Sequence, residues 1–368
     1  MEGATPLNPK HRFHELDLLR FVAAMSVVLF HYTHYGLIGG YMPYNVPALA
    51  EVFQYGYLGL DFLFMVSGFV ILMTVQRRNW AGFVSSRVVR LYPTYWVCMA
   101  VTAVVVLLAN DPRYPASLSQ VLANLTMFQT RFGFEHIDGV YWTLETELVF
   151  YAWVFLVCLI KQIHNADKIL GLWAVASIVI NLFGGITFTG LDLFLLPSWS
   201  FYFIAGGAFY LTYQRGRSLY LSILIGVSYV MVVKLAVADP ERLNPYVAFA
   251  GDTLLFLVFA YMVSGKRRPV EKPWMATLGA ITYPLYLIHQ NIGYLALSEL
   301  DGLLPRPVAL LLVLTVMVAV SYVLATQIEN RFTPPFRRIV NHLLRLVGVR
   351  ESGQRVGRTP AREAASAT

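Results

Sequence analysis

The sequence predicts an all-α membrane protein, a polytopic bundle of about ten transmembrane helices. Of its 368 residues, 57% are hydrophobic and only 13% are charged, whereas soluble domains carry roughly 25% charged residues. The apolar residues also form runs of about 20, the length that a helix needs to cross a bilayer core. These runs are too long for strands and lack the two-residue alternation of a β-sheet.

Ten apolar segments are the predicted spans. They lie near 16–35, 55–75, 93–110, 141–160, 169–187, 195–213, 218–237, 246–264, 279–298 and 306–328. They divide the chain into an N-terminal segment 1–15, a transmembrane domain 16–335 and a tail 336–368, which is polar enough to be disordered from about residue 351. No short apolar stretch precedes a small-residue cleavage site, so we predict no cleavable signal peptide.

The distribution of positive charge predicts the orientation. With the N-terminus inside, 22 of the 28 lysines and arginines fall in inside segments and five in outside segments, while Arg20 lies within the first span. Cytoplasmic loops gather lysine and arginine, so both termini are expected in the cytoplasm. This asymmetry also explains the net charge of +7 without a nucleic-acid partner. Cys98 and Cys158 lie in apolar runs without metal-ligand spacing, which predicts neither a disulfide nor a metal site.

Ionisable residues within spans are functional candidates because they are costly at membrane depth. In the first span, Asp17 and Arg20 are three residues apart and can pair on one face. His31 follows eleven residues after Arg20, close to three full turns, so both share that face about 16 Å apart. The alternatives stay open: Arg20 as a cation that reaches the cytoplasmic surface, and His31 as a packing residue.

Two further spans carry carboxylates. Asp61 interrupts the second span, and its alternative is a structural ion pair. In the fourth, Glu147 and Tyr151 share a face, while Glu145 is expected nearer the water. Asp61 and Glu147 lie about 9 Å below the outer ends of their spans and His31 about 6 Å below its own. One imidazole and two carboxylates therefore occupy one layer of the outer half, where they can form an acid–base site.

The second inside loop, 76–92, carries Arg77, Arg78, Arg87 and Arg90. Arg87 and Arg90 are three residues apart and would lie on one face of a short helix. Guanidinium groups suit phosphates because they donate in a fork, and the alternative is an anchor for lipid headgroups. The longest outside loop, 111–140, is either a solvated connector or part of an acceptor site. In the ninth span His289 lies near mid-membrane, one turn beyond Pro284, with structural and functional readings both open.

At these residues the chain resembles the type-3 membrane acyltransferase family, whose members O-acylate envelope sugars, lipopolysaccharide, Nod factors and some macrolides. The resemblance covers nearly the whole chain and rests on five motifs in the family's order. They match Asp17, Arg20 and His31; Gly59, Asp61, Phe62, Phe64, Ser67, Gly68 and Phe69; Arg87, Arg90, Pro93 and Tyr95; Trp142, Leu144, Glu147, Phe150 and Tyr151; and Tyr283, Tyr286 and His289. Thr143 and Thr282 replace the family's serines.

The resemblance implies an acyl group, acetyl above all, that moves from cytoplasmic acyl-CoA to a hydroxyl of a carbohydrate or other envelope glycoconjugate. It implies acyl-CoA as co-substrate, no permanently bound cofactor and a place in the bacterial inner membrane. His31 is the expected base, with Glu147 or Asp61 to orient it; a covalent acyl-histidine also stays open. Donor binding falls to Arg20, Asp17, Arg87 and Arg90, and the further candidates are Tyr151, Trp142, Tyr283 and His289.

Two competing functions fit parts of the pattern. Buried charges and a mid-membrane histidine also suit a transporter or flippase of a lipid-linked sugar, although no inverted repeat is evident. A non-catalytic partner of a polysaccharide synthase is the third reading, which the intact set of His31, Arg20, Glu147 and Arg87 disfavours.

Overall fold

The computed structural model describes residues 13–76, 79–183, 194–239, 242–264, 270 and 272–346, and this part of the chain contains helices and no strand. Most of the predicted N-terminal segment, the polar end of the tail, Arg77 and Arg78 lie outside the described residues. Each of the ten predicted spans contains a described helix, and an eleventh follows the last span. The helices of 14 residues or more are α1 (His14–Phe30), α2 (Leu58–Val75), α3 (Trp80–Ala109), α4 (Trp142–Leu159), α5 (Ala166–Leu182), α6 (Ser200–Arg215), α7 (Leu219–Ala238), α8 (Pro245–Val263), α9 (Pro273–Glu299), α10 (Arg306–Gln327) and α11 (Thr333–Leu346). Short helices lie at Gly36–Ile38, Pro47–Phe53 and Leu118–Asn124.

Eight helical stretches in the described residues are long and apolar enough to cross a membrane, which confirms the all-α polytopic bundle. The two long helices outside this set, α6 and α9, lie at the centre. Helix α6 buries twelve of its 16 residues, and α9 carries buried His289, Gln290 and Asn291. A helix enclosed by protein can be shorter or more polar than one that faces lipid, because the neighbouring helices form hydrogen bonds with its polar groups.

The outer helices expose apolar side chains, as contact with lipid requires. Leu108 on α3, Leu172 on α5 and Leu219 on α7 expose 80%, 70% and 78% of their surface. Soluble monomers rarely carry contiguous apolar patches of this kind. The exposed rings and aliphatic chains therefore form the bilayer-facing surface of the bundle.

Glycines allow α2 and α6 to cross in close contact. A Cβ atom at Gly206 would lie 1.9 Å from the carbonyl oxygen of Met65, and one at Gly68 would lie 2.2 Å from that of Phe203. Small residues at a crossing permit such backbone approach within membranes. This contact fixes the position of α2, which carries Asp61 and Ser67.

The helix of the third span begins 13 residues earlier than the sequence predicts, so the loop boundary at residue 92 is wrong. The short helix predicted at Arg87 and Arg90 is part of this one helix. Helix α3 begins at Trp80, where the side chain of Asn79 caps it by accepting from the backbone N–H of Gly82 at 2.9 Å. Arg87 and Arg90 thus stand on helical backbone. The charges and Pro93 misled the prediction: Pro93 lies inside the helix, where it removes one backbone hydrogen bond and leaves the flanking turns intact.

The end of α1 changes its helical geometry at a functional candidate. Residues His31–Tyr35 form a π-helical turn directly after Phe30. Such turns are rare and occur frequently at functional sites. His31 is therefore placed by a locally widened helix rather than by a regular α-helical turn.

Candidate active site

A cavity of about 100 Å³ lies where α1, α2, α3, α4 and α9 meet. Its lining combines an apolar wall from α2 with charged and hydroxyl-bearing side chains from the other four helices. The lining residues are Arg20, Leu60, Leu63, Phe64, Val66, Ser67, Val70, Ile71, Arg87, Arg90, Leu91, Thr143, Leu144, Glu147, Tyr151, Thr282, Tyr283 and Tyr286.

The cavity extends along helix α2. Helix α2 lines it from Leu60 to Ile71, eleven residue steps or about 16 Å along the helix axis. One end, the arginine end, lies at Arg87 and Arg90; the other, the far end, lies at Leu60 and Thr143. The cavity therefore links two levels of the bundle that differ in chemistry.

Positive charge dominates the arginine end. Three arginines, Arg20, Arg87 and Arg90, face a single carboxylate, Glu147, in the lining. Arg87 is buried and lies 5.9 Å above the ring of Tyr151, whereas Arg90 is exposed at the mouth. This arrangement suits a ligand with several phosphates, held by guanidinium groups at the entrance.

Two hydroxyls fix the carboxylate of Glu147. Ser67 on α2 donates to its Oε1 at 2.7 Å, and Tyr151 donates to the same oxygen at 2.6 Å. The predicted pairing of Glu147 and Tyr151 on one face of their helix thus appears as a direct hydrogen bond. The other oxygen of Glu147 makes no hydrogen bond to the residues that the structure describes.

The remaining donor-side candidates have distinct surroundings. Asp17 packs against Gly279 on α9: a Cβ atom at Gly279 would lie 2.5 Å from Asp17 Oδ1. The charges of Asp17 and Arg90 both act on Arg20. Tyr283 lines the cavity and approaches the carbonyl of Leu91 at 3.5 Å. Trp142 lies outside the lining.

Trp142 belongs instead to an aromatic cluster beside the far end. It is 36% exposed, and its ring centroid lies 5.4 Å from that of Trp199 and 6.4 Å from that of Phe64. Phe64 itself lines the cavity. The cluster therefore closes one side of the far end.

Two histidines form a buried pair just beyond the far end. His289 Nε2 lies 3.1 Å from His31 Nδ1, His289 Nδ1 lies 2.8 Å from the carbonyl oxygen of Tyr286, and His31 Nδ1 lies 2.9 Å from that of Val27. A carbonyl oxygen can only accept, so His289 donates through Nδ1 and, when neutral, accepts through Nε2. His31 then carries its proton on Nδ1, and its Nε2 holds a free lone pair.

The pair is connected to the cavity through one tyrosine. Tyr286 lines the far end, accepts a hydrogen bond from Thr143 at 3.0 Å, and places its ring centroid 5.6 Å from that of His289. The hydroxyl of Tyr32 donates to the His289 carbonyl at 2.6 Å, which holds α1 against α9. The histidine pair is therefore held about one turn of α9 beyond Tyr286, the last residue of that helix in the cavity lining.

The structure brings neither predicted carboxylate into hydrogen-bond contact with His31 within the described residues. Asp61 forms an ion pair with Arg242 at 2.9 Å, and the same arginine lies 3.4 Å from Asp252 and 5.1 Å from the ring centroid of Tyr57. The contacts of Asp61 therefore agree with the alternative that the sequence left open, a structural ion pair. The depth estimated from the sequence placed His31, Asp61 and Glu147 at one level of the membrane. The order of the helices around the bundle nevertheless separates the two carboxylates from His31.

The segment between α3 and α4 is folded rather than a solvated connector. Glu145, expected near water, is buried and bonded by Thr130 and Arg131. Asp138 accepts from the backbone N–H groups of Val140 and Asn291, and burial raises its pKa to about 7. The segment thereby attaches to α9 two residues beyond His289 and covers that side of the histidine pair.

Sequence reasoning missed several residues that shape the site. Arg242 had no recognisable signal because its 2.9 Å partner, Asp61, lies on a helix far from it in the sequence. Tyr286 and Ser67 carried a signal in the motifs but were not singled out. The spacing of Tyr286 and His289, three residues apart on one helix face, could have identified them as neighbours.

Comparison with known proteins agrees with these observations. The family described as "Acyltransferase domain" matches residues 13–326. The "Exopolysaccharide production protein ExoZ" of Rhizobium meliloti (strain 1021) is 31% identical over 108 residues, which cover 27% of this chain and 33% of that protein. The chain therefore aligns with about a third of this curated relative. No solved structure matches the chain. The match across most of the sequence, together with the five ordered motifs, shows that the chain belongs to the type-3 membrane acyltransferase family.

Proposed function

We propose that this protein is an O-acyltransferase of the bacterial inner membrane, with both termini in the cytoplasm. It transfers an acyl group, acetyl in the first instance, from cytoplasmic acyl-CoA to a hydroxyl of a carbohydrate or other envelope glycoconjugate. The observation that carries the proposal is the elongated cavity, with three arginines at one end and a histidine pair beyond the other.

The arginine end supports a coenzyme A donor. Arg87 and Arg90 lie on the predicted cytoplasmic side and offer fork-shaped donors to phosphates, and Arg20 adds a third positive charge. The cavity continues for about 16 Å toward the opposite side, a narrow path that suits the extended pantetheine arm. The thioester would then lie near Thr143 and Tyr286, while the bulky nucleotide stays at the mouth.

The histidine pair supplies the proton chemistry. The Nε2 lone pair of His31 takes the proton of the acceptor hydroxyl as its oxygen attacks the thioester carbonyl. The resulting imidazolium stays hydrogen-bonded to Val27 through Nδ1. When the C–S bond breaks, the departing thiolate takes the proton back from Nε2, so the enzyme regains its initial state. A covalent acyl-histidine would form through the same nitrogen.

The other residues take supporting roles. Tyr286 lies at the far end with its hydroxyl 3.0 Å from that of Thr143, and it donates its proton to the thioester oxygen, where negative charge develops. Glu147 orders the cavity wall through Ser67 and Tyr151 and balances the arginines. Asp61 acts through its ion pair with Arg242, which holds α2 against the segment before α8, and not through contact with the imidazole.

Proteoliposomes test the proposal against the transporter or flippase alternative. The purified protein is supplied with acetyl-CoA labelled in the acetyl group and with polysaccharide from a strain that lacks the protein. We expect label in an alkali-labile ester on the polysaccharide, and loss of this transfer in Arg87→Gln at low donor concentration. Label that stays on the donor, while a lipid-linked sugar changes leaflet, would contradict the proposal.

A further inference from the structure

The last described helix, α11, is amphipathic and carries charge of one sign. Its sequence, TPPFRRIVNHLLRL, contains three arginines and no acidic residue. On a helical wheel at 100° per residue, Phe336, Ile339, Val340, Leu343, Leu344 and Leu346 occupy one arc, and Arg337, Arg338, Asn341, His342 and Arg345 occupy the opposite one. The family match ends at residue 326, so this helix lies beyond it.

The position of α11 follows from the helix before it. Helix α10 has 22 residues and is about 33 Å long, which already crosses the hydrocarbon core of about 30 Å. After the π-helical turn Ile328–Phe332, α11 therefore begins at the membrane surface. By the charge distribution of the sequence this is the cytoplasmic surface.

One flank of α11 is held by α3. The ring centroid of Phe336 lies 5.6 Å from that of Trp96, and Ser85 donates to the side chain of Asn341 at 2.8 Å. Ser85 and Trp96 lie about 200° and 180° around α3 from Arg87. Helix α11 thus supports α3 from behind, on the face opposite the one that presents Arg87 to the cavity.

The other two flanks have no partner in the described part of the chain. Ile339, Leu343 and Leu346 expose 56%, 54% and 70% of their surface. Arg337, Arg338 and Arg345 are exposed and form no ion pair with a described residue. An apolar strip beside a row of arginines is the pattern of a helix that lies in the bilayer interface, with its apolar side toward the acyl chains and its cations at the headgroups.

We infer that α11 is a binding surface for anionic phospholipid headgroups of the cytoplasmic leaflet and that bound lipid holds α3 in its donor-binding position. Charge complementarity selects the partner: the arginines attract anionic headgroups, and each contributes roughly a fivefold gain in association. The link to donor binding rests on the proposed function, whereas the lipid contact does not.

A fluorescent probe tests the lipid contact directly. Leu343→Cys is labelled with a polarity-sensitive dye in the full-length protein, in which Cys98 and Cys158 are buried, and the protein is placed in nanodiscs of phosphatidylcholine with or without phosphatidylglycerol. With phosphatidylglycerol, a lipid-borne doxyl quencher should quench the dye and aqueous iodide should not. In the triple variant Arg337→Gln/Arg338→Gln/Arg345→Gln, iodide should quench the dye and the doxyl lipid should not, because the attraction to the headgroups is removed.

A matched triple variant controls for the loss of charge. Lys161→Gln/Lys168→Gln/Arg217→Gln removes three exposed cations from the same predicted side, away from α11, and should behave like the unmodified protein. Equal quenching in both kinds of nanodisc, or no effect of the α11 arginines, would overturn the lipid contact.

The KM for acetyl-CoA tests the second half of the inference. It should be several-fold lower in phosphatidylglycerol nanodiscs, and the α11 triple variant should abolish this difference. A lipid-dependent probe signal with an unchanged KM would refute the link to α3 while the lipid contact stands. Absence of acyl transfer in every nanodisc would refute the proposed function, and the quenching result would still decide the lipid contact.

Discussion

Replacement of His289 tests how the two histidines divide their roles. His289→Leu removes the acceptor of the 3.1 Å hydrogen bond from His31 Nδ1 and roughly preserves side-chain volume. His31 keeps its bond to the Val27 carbonyl, so no buried donor is left without a partner. The bond of His289 Nδ1 to the Tyr286 carbonyl is lost as well, but only the bond to His31 touches the base. Its loss, about 1 kcal/mol, corresponds to roughly a fivefold fall in kcat.

The assay is steady-state acyl transfer with acetyl-CoA as the varied substrate. His289 does not line the cavity, so KM for the donor should stay unchanged. His289→Gln, which offers a side-chain oxygen as acceptor, should recover part of the rate, while His31→Gln should lose roughly 10²–10⁴-fold because it removes the base itself. If His289→Leu were as inactive as His31→Gln, His289 would be the base and the tautomer argument would fail.

Four further predictions follow from the contacts. Arg87→Gln should raise KM for acetyl-CoA several-fold with a smaller effect on kcat, because the guanidinium meets the donor at the cavity entrance; a pure kcat effect would contradict this role. Arg242→Met should destabilise the protein by about 3–5 kcal/mol, since it leaves Asp61 and Asp252 without their counter-charge. Asp61→Asn/Arg242→Gln still leaves Asp252 unpaired, so it should recover part of the thermal stability and of the activity; a double variant as unstable as Arg242→Met would contradict the role of the Asp61 pair. Gly206→Ala should prevent close packing of α2 and α6 and reduce the yield of folded protein, whereas Gly226→Ala, where a Cβ meets no atom within 4 Å, should be tolerated. Burial raises the pKa of Asp138 from 3.8 to about 7, so between these pH values the folded protein retains a proton that the unfolded chain releases. Thermal stability should therefore fall as pH rises from about 4 to about 7. Asp138→Asn should flatten this pH dependence of thermal stability, and an unchanged slope would contradict the role of Asp138.

The sequence predicted the helices well because lipid imposes a simple rule on the outer surface of the bundle. Long apolar runs such as those of α7 and α10 can adopt no other structure at membrane depth. The prediction also included α6 and α9, whose residues are buried among other helices. It failed at the start of α3, where hydropathy begins the span at Pro93 although one helix, which includes Arg87 and Arg90, begins after its cap Asn79.

The sequence identified most residues of the site, but it did not predict which of them contact each other. Motif positions identified His31, Glu147 and Arg87, and the structure brings Arg20, Arg87, Arg90, Glu147 and Tyr151 to one cavity. Which side chains touch depends on the order of helices around the bundle, and hydropathy carries no information about that order. For this reason the pairing of His31 with His289, and of Asp61 with Arg242, emerged only from the folded chain.

The central claim is that one cavity leads a donor from the arginines to the far end at Tyr286, next to the pair of His31 and His289. A cryo-EM structure with a non-transferable acetyl-CoA analogue, in which a methylene group replaces the thioester sulfur, tests it most directly. We expect phosphates at Arg87 and Arg90, and the carbonyl carbon at the far end beside Tyr286, with space for one hydroxyl between it and His31 Nε2. An analogue bound outside the cavity, or with its carbonyl at the arginine end, would contradict the account.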